Sequence, residues 1–374
     1  MRVLVVNAGS SSLKLRVLGG ADELTAAIDL PAPGGKAEAG ALSEALARCG
    51  DVDAVGHRIV HGGTAFTGPV RIDDGVVAQL RALADLAPLH QAKSLAALEA
   101  ATAALPHLPA VACFDTAFHA GLPAAAATYA LPAEWRRRFS LRRFGFHGLS
   151  HAYASRRAAE LLGRGVAELR LVTCHLGAGA SLAAVAAGRS VDTTMGFTPL
   201  EGLVMATRSG SVDPGLVLWL EEHVGTPPAE LAYTLEHRSG LLGLTGTPDM
   251  REVLARAEAG EPDAQLGLDV YVHRLCAAVA AMTASLGGMD ALVFTGGVGE
   301  NSPEIRALAA ARLDFLDVRI DALANAGGGP DRAIGSLDGS VSVLVLAARE
   351  DLEIARETRS VLDTRRNQPT VASG

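Results

Sequence analysis

The chain has 374 residues, enough for two or three domains, and 49% of them are hydrophobic while only 4% are aromatic, so its cores must be aliphatic. A formal net charge of −8 argues against a general nucleic-acid or membrane-surface binder and leaves room only for a local basic pocket. The spacing of Cys49, Cys113, Cys174 and Cys276 fits neither a zinc ribbon nor a disulfide framework, which leaves buried thiols in a reducing cytoplasm as the simplest reading.

Residues 2–6 and 13–18 read as paired strands around the small-residue turn NAGSSSLK (7–14). The N-terminus runs straight into the first of them, so no secretion signal is read, and no window of about 18 uninterrupted apolar residues predicts a membrane span. Residues 31–40 read as a loop and AVGHRIVH (54–61) as a strand ending in Gly62-Gly63. Helical spacing over 75–104 is broken near Pro88, and 109–114 is a short strand. LRLVTCHLGAGASLAAVA (169–186) is strand, glycine turn, strand. Aligned on Asn7 and His175, it repeats the opening hairpin 168 residues later. A duplicated fold would explain the repeat, and so would any ordinary antiparallel hairpin. A long apolar helix over 264–286 stops at Gly287-Gly288. Strand 291–295 then enters a glycine loop, followed by Ser302 as N-cap, Pro303 at N1 and Glu304 in the first turn. A loop at 325–332, a strand at 342–347, an amphipathic helix at 350–363 and a disordered tail over 364–374 complete the chain. Strands alternating with helices predict an α/β architecture.

Three glycine-bearing segments each follow a predicted strand: 7–14 (NAGSSSLK), 175–181 (HLGAGAS) and 295–301 (TGGVGEN). Glycine lets backbone N–H groups approach phosphate oxygens and form anion nests. None matches the P-loop or dinucleotide signatures, but three in one chain favour a nucleotide. Ser10, Ser12 and Lys14, at period 2, share one strand face. Arg58 sits in an apolar strand pattern, where an unpaired charge is costly, which favours a pocket role.

In sequence order NAGSSSLK, GHRIVHGG, APLH, FDTAFH, FGFHGLSH, HLGAGAS, MGFTPLEGLVMATRSGSVDPG and FTGGVGEN resemble the acetate kinases, over residues 3 to about 358. The resemblance implies two RNase H-like (actin-like ATPase) domains with an interdomain active-site cleft. They would span 1–150, joined by the C-terminal helix, and 151–349 for the nucleotide-binding domain. It implies reversible phosphoryl transfer from ATP to acetate, with Mg²⁺ (Mn²⁺ as a substitute), in a cytoplasmic homodimer.

On that resemblance Arg58 grips the acetate carboxylate, Arg208 stabilises the transferring phosphoryl group, His147 donates to one of its oxygens, and Asp115 orients Arg58. Val60, Leu89, Phe146 and Pro199 line the methyl pocket. Ser10, Ser12, Lys14 and the run His175, Leu176, Gly177, Ala178 and Gly179 face the ATP phosphates. Asp249, Met250 and Arg251, with Gly297, Val298, Gly299, Glu300 and Asn301, lie on the adenosine side. Asn7 and Glu350 are metal-associated.

Several positions depart from the family pattern: Ala178 replaces an Asn, Gln91 and Ala92 replace Asn-Pro, Ser211 replaces Asp, and Arg349 stands where Asn is common. They bear on substrate specificity rather than reaction class. Three other readings stay open: a propionate or other short-chain acyl kinase, a catalytically degenerate nucleotide-binding module, and a zinc hydrolase. The last rests on the H-x-x-x-H spacing of His57/His61 and His147/His151, without HExxH.

Overall fold

The computed structural model describes residues 1–9, 12–32, 38–83 and 88–366, without the side chains of 39, 88–90 and 364–366. The expectations for Ser10, for the Leu89 side chain and for the tail beyond 366 lie outside the described residues. The chain forms two compact units, one from residues 1–120, 148–153 and 349–374, the other from 121–147 and 154–348.

The first unit is built on six strands: β1 (Val3–Ala8), β2 (Ser12–Leu18), β3 (Leu24–Pro31), β4 (Ala54–Ile59), β5 (Val70–Arg71) and β6 (Ala110–Phe114). Their order is β3-β2-β1-β4-β6-β5, with β1, β4 and β6 parallel and the rest antiparallel. β1 is a continuous apolar run because both of its faces are covered. Leu4, Val6 and Ala8 pack with Leu42, Leu46 and Ala97 from the helices Ala39–Cys49 and Pro88–Ala104. Val3 and Val5 pack on the opposite side with Leu149, Ile354 and Ala355. The last two belong to the helix Glu350–Arg366, which lies close over Gly56: a Cβ there would stand 2.5 Å from the Thr358 hydroxyl.

The second unit contains β7 (Arg170–Leu176), β8 (Ala180–Ala186), β9 (Arg189–Thr193), β10 (Ala291–Thr295), β11 (Arg332–Ala333) and β12 (Ser342–Val345). The order is β9-β8-β7-β10-β12-β11, again with three central parallel strands and antiparallel flanks. Strand for strand this repeats the first sheet. An isolated hairpin would not bring four further strands in matching order and direction, so the 168-residue repeat marks a duplicated fold. The helix Pro262–Leu286 is long and apolar enough to cross a membrane, yet it buries Leu268, Val272, Leu275 and Val279 within this unit. Its C-cap is Gly287 at φ 64°, a left-handed position that glycine occupies without strain.

Some local expectations change. The boundary near 150 is not a single cut, because 121–147 packs with the second unit: Arg143 donates to the carbonyls of Thr194 and Met195. Gly296–Asn301 is a short helix rather than a loop. Ser302 stands at the N-cap of Pro303–Arg312, but its side chain makes no capping bond. Residues 364–366 continue the last helix instead of starting a disordered tail. β3 and the helix Ala39–Cys49 overlap the ends of the loop expected at 31–40.

Candidate active site

In the first unit, parallel strands end at a common edge, and three of them contribute polar side chains there. Arg58 directly follows the β1–β4 pair Val6–His57, and Asp115 directly follows β6. Nε and Nη2 of Arg58 donate to the two Asp115 carboxylate oxygens at 2.9 and 2.6 Å. Nη1 donates to Asn7 Oδ1 at 3.2 Å. The Asn7 amide in turn donates to Glu350 Oε2 at 2.9 Å, and Arg58 Nε lies 3.8 Å from the same oxygen. Asp115 is 1% exposed and Arg58 16%. Burial works against the Arg58 charge, but Asp115 and Glu350 override it and raise the guanidinium above its ordinary range. Lys14 is the register partner of Asn7, so it shares this face, with Ser12 two residues before it. The N–H of Gly9 closes the β1–β2 turn on the carbonyl of Ser12 at 2.8 Å.

The second unit gathers a different set. His147 has φ 56°, a left-handed conformation held at the start of the helix Gly148–Leu162. Its Nδ1 is 2.9 Å from Ser181 Oγ, and its ring stacks on His175 with centroids 4.4 Å apart. Gly179 lies beneath His147 and Arg208: a Cβ there would be 3.2 Å from His147 Nε2 and 3.5 Å from Arg208 Nη1. Arg208 Nη1 donates to the Pro199 carbonyl at 3.3 Å. Burial lowers the Arg208 guanidinium, opposed by Glu236 at 4.0 Å. The N–H of Gly177 closes the β7–β8 turn on Gly179, as Gly9 does in the first hairpin. Gly177 also adjoins the Gly297 amide, so two glycine segments meet.

Other predicted residues have local roles. Leu176 and Met250 are buried, so each offers only backbone. Asp249 caps the helix Met250–Glu258 through the Arg251 N–H and pairs with the Arg251 guanidinium at 2.5 Å, which draws its carboxyl to about 2. Glu300 Oε1 accepts from the N–H groups of Gly296 and Ala348, and Asn301 donates to the Gly297 carbonyl. Gly297 opens to free space, Gly299 is buried, and Val298 is half-buried. Val60 and Phe146 are buried, while Ala178 is exposed. Among the described residues no three His, Cys, Asp or Glu are placed to hold a metal, which leaves the H-x-x-x-H pairs without a third ligand.

Two participants escaped the sequence reading. Ser181 fixes the His147 ring, and buried Arg306 donates to the carbonyls of Gly299, Glu300 and Asn325, bracing the short helix Gly296–Asn301. Its burial lowers the guanidinium to about 10. The available signal was an Arg about one helical turn after Ser302, where an amphipathic helix would otherwise present a core residue.

A duplicated six-stranded α/β unit, with polar side chains at strand ends and glycine turns in both copies, is the architecture of the acetate and sugar kinase/actin-like ATPase class. The chain belongs to the acetokinase family, whose model matches residues 39–356. An acetate kinase of Leifsonia xyli subsp. xyli is 47% identical over 386 residues, covering 95% of this chain and 97% of the relative. The crystal structure of Porphyromonas gingivalis acetate kinase matches with a TM-score of 0.89 at 35% identity, over 96% of this chain and 99% of that one. A propionate kinase from Francisella tularensis gives a TM-score of 0.89 at 34% identity, with the same coverage of both chains.

Proposed function

We propose that this protein transfers the γ-phosphoryl group of ATP reversibly to the carboxylate of acetate. A carboxylate oxygen forms the new bond to phosphorus, the bond to the β–γ bridging oxygen breaks, and ADP leaves with that electron pair. Acetate is already ionised at neutral pH, so no base need activate it. The barrier lies in bringing two anions together and stabilising charge on the transferring group.

The observation that carries the reading is the state of Arg58. Three of its five N–H donors are committed to Asp115 and Asn7, which fixes the plane of the guanidinium. Two N–H groups remain for a substrate carboxylate, in the planar geometry that suits it. Asp115 orients Arg58, since both of its oxygens are occupied by that pair. Arg208 and His147, side by side over Gly179, suit the oxygens of the transferring phosphoryl group. Lys14, Ser12, the turn at 175–179 and the short helix at 297–301 would receive the nucleotide.

Asn7 and Glu350 offer only oxygen ligands, which fits a hard cation that keeps most of its waters, so they would hold Mg²⁺ or Mn²⁺. Such a cation, when bound, neutralises phosphate charge. Asn7 and Glu350 bond each other, so Asn7 also sets the orientation of the Glu350 carboxylate.

The likeness to a propionate kinase supports propionate as a second, slower substrate. One methylene discriminates by about 1–3 kcal/mol in an apolar pocket. A homodimer is supported by the exposed side chains of Leu216, Leu218, Trp219, Val224 and Tyr233. Four buried free cysteines accord with a reducing cytoplasm. Trapping of acyl phosphate with hydroxylamine, given ATP, Mg²⁺ and acetate, propionate or butyrate, tests the proposal. Acetate should give the highest turnover. Retained ATP binding without any trapped product would replace the kinase by a nucleotide-binding module.

A further inference from the structure

Residues 194–201 (TMGFTPLE) form an irregular segment with an unusually complete set of side-chain supports. Glu201 is at their centre, and both of its oxygens are engaged by the stretch 129–143. Arg143 Nη2 donates to Oε1 at 2.6 Å, and the Tyr129 hydroxyl donates to Oε2 at 2.6 Å. That hydroxyl accepts from the Phe197 N–H at 2.8 Å. Arg143 Nη1 reaches the carbonyls of Thr194 and Met195 at 3.1 and 3.0 Å, and its guanidinium lies 5.5 Å over the Tyr129 ring. The N–H groups of Phe144 and Gly145 close on the Gly196 carbonyl. A side chain at Gly196 would run into Glu201 and the Tyr129 hydroxyl. Burial and Glu201 raise the Tyr129 phenol above its ordinary range, so it stays a donor at neutral pH.

The segment contains Pro199, whose carbonyl accepts from Arg208 Nη1, and its Gly196 carbonyl accepts from Phe144 and Gly145 in the irregular stretch that leads to Phe146 and His147. We propose that Tyr129, Arg143 and Glu201 are positioning residues that set the Pro199 wall and, through its carbonyl, the Arg208 guanidinium, so that they govern both turnover and acyl-chain selectivity. The inference rests on the acetate kinase reading. No atom of the three needs to touch a reactant. Their effect passes through the carbonyl of Pro199 and the ring beside it.

Tyr129→Phe removes two hydrogen bonds, one of them to a charged group, and keeps the ring over Arg143. Losses of this kind are worth about tenfold or more when a reacting group is misplaced. The expected result is a fall of about tenfold in kcat with acetate and a changed acetate-to-propionate ratio of kcat/KM, while KM for ATP stays within about twofold. Glu201→Gln, which keeps the shape but weakens the Arg143 pair, should move the same two quantities and carries the test should Tyr129→Phe not fold. Wild-type values in both variants overturn the inference. A uniform drop in kcat for both acids, with an unchanged ratio, also overturns it, since that would reflect only the fraction of folded enzyme. A wild-type protein that forms no acyl phosphate overturns the underlying reading and this inference with it.

Discussion

At the scale of single residues, the cost of removing a charge depends on what it leaves behind. Arg58→Ala strands Asp115, which is 1% exposed, without its bidentate partner. Breaking such a pair costs about 3–5 kcal/mol, so this variant should lose stability as well as turnover. Arg58→Lys separates the two effects. It keeps a cation near Asp115 but cannot reproduce the fork, so kcat/KM for acetate should fall about a hundredfold or more with a much smaller drop in melting temperature. Steady-state kinetics beside a thermal melt reads both. His57 gives a pH prediction. Burial lowers its imidazole from 6.5 to about 4, and Nε2 has no partner among the described residues. The unfolded chain therefore takes up a proton below pH 6.5 that the folded chain refuses until about pH 4. Stability is complete above the higher value and is lost as pH falls through that window, by about 3 kcal/mol. His57→Gln should flatten this part of the curve, measured as melting temperature at pH 7 against pH 4.5.

At the scale of elements, the C-terminal helix carries both a core surface and the carboxylate proposed to hold the cation. Ile354 and Ala355 pack on Val3, Val5 and Val111, while Glu350 at its N-terminus meets Asn7. Gly56 fixes how closely this helix can approach β4. Gly56→Ala would place a methyl 2.7 Å from Ile354 Cγ2 and 2.5 Å from Thr358 Oγ1, a contact relieved by lifting the helix or by turning these two β-branched side chains out of their packing. We expect a loss of about 1–3 kcal/mol and, because Glu350 moves with the helix, a raised Mg²⁺ requirement for half-maximal activity. A destabilised variant with an unchanged Mg²⁺ profile would show that Glu350 does not depend on that packing.

At the scale of the whole molecule, duplication leaves equivalent positions with different side chains. Strand register makes Asn7 equivalent to His175, Lys14 to Ser181, Arg58 to Thr295 and Asp115 to Ala348. At three of these four positions the first copy carries a charged side chain, Lys14, Arg58 and Asp115, where the second has Ser181, Thr295 and Ala348. On the proposed function, Arg58 and Asp115 of the first copy serve the carboxylate, while the glycine turns of the second allow close approach of phosphates. The exposed apolar residues of 214–233 give the assembly prediction. Light scattering should report a dimer, and Trp219→Asp, on a side chain 50% exposed, should shift it toward monomer without a fall in melting temperature of the monomeric species.

The sequence by itself determined the strands with apolar runs, the long helix stopped by Gly287 and the family, because periodicity, glycine punctuation and ordered motifs are local signals, whereas the repeated hairpin became a duplicated fold only with the strand order of both sheets. It also marked Arg58 as a charge that needs a partner, since the arginine lies within the apolar pattern of AVGHRIVH. The resemblance named Asp115 as that partner and put Asn7 with Glu350; what only tertiary structure decided was the bidentate geometry of the first pair and the direct hydrogen bond of the second. Asp115 lies 57 residues away and Glu350 lies 343 residues from Asn7, and neither pairing has any trace in local spacing. The same holds for Arg306 under the short helix 296–301 and for the residues 121–147 that pack with the second unit. These are choices made by burial: a charge taken from water must find its counter-charge in space, and the chain order does not record where that will be.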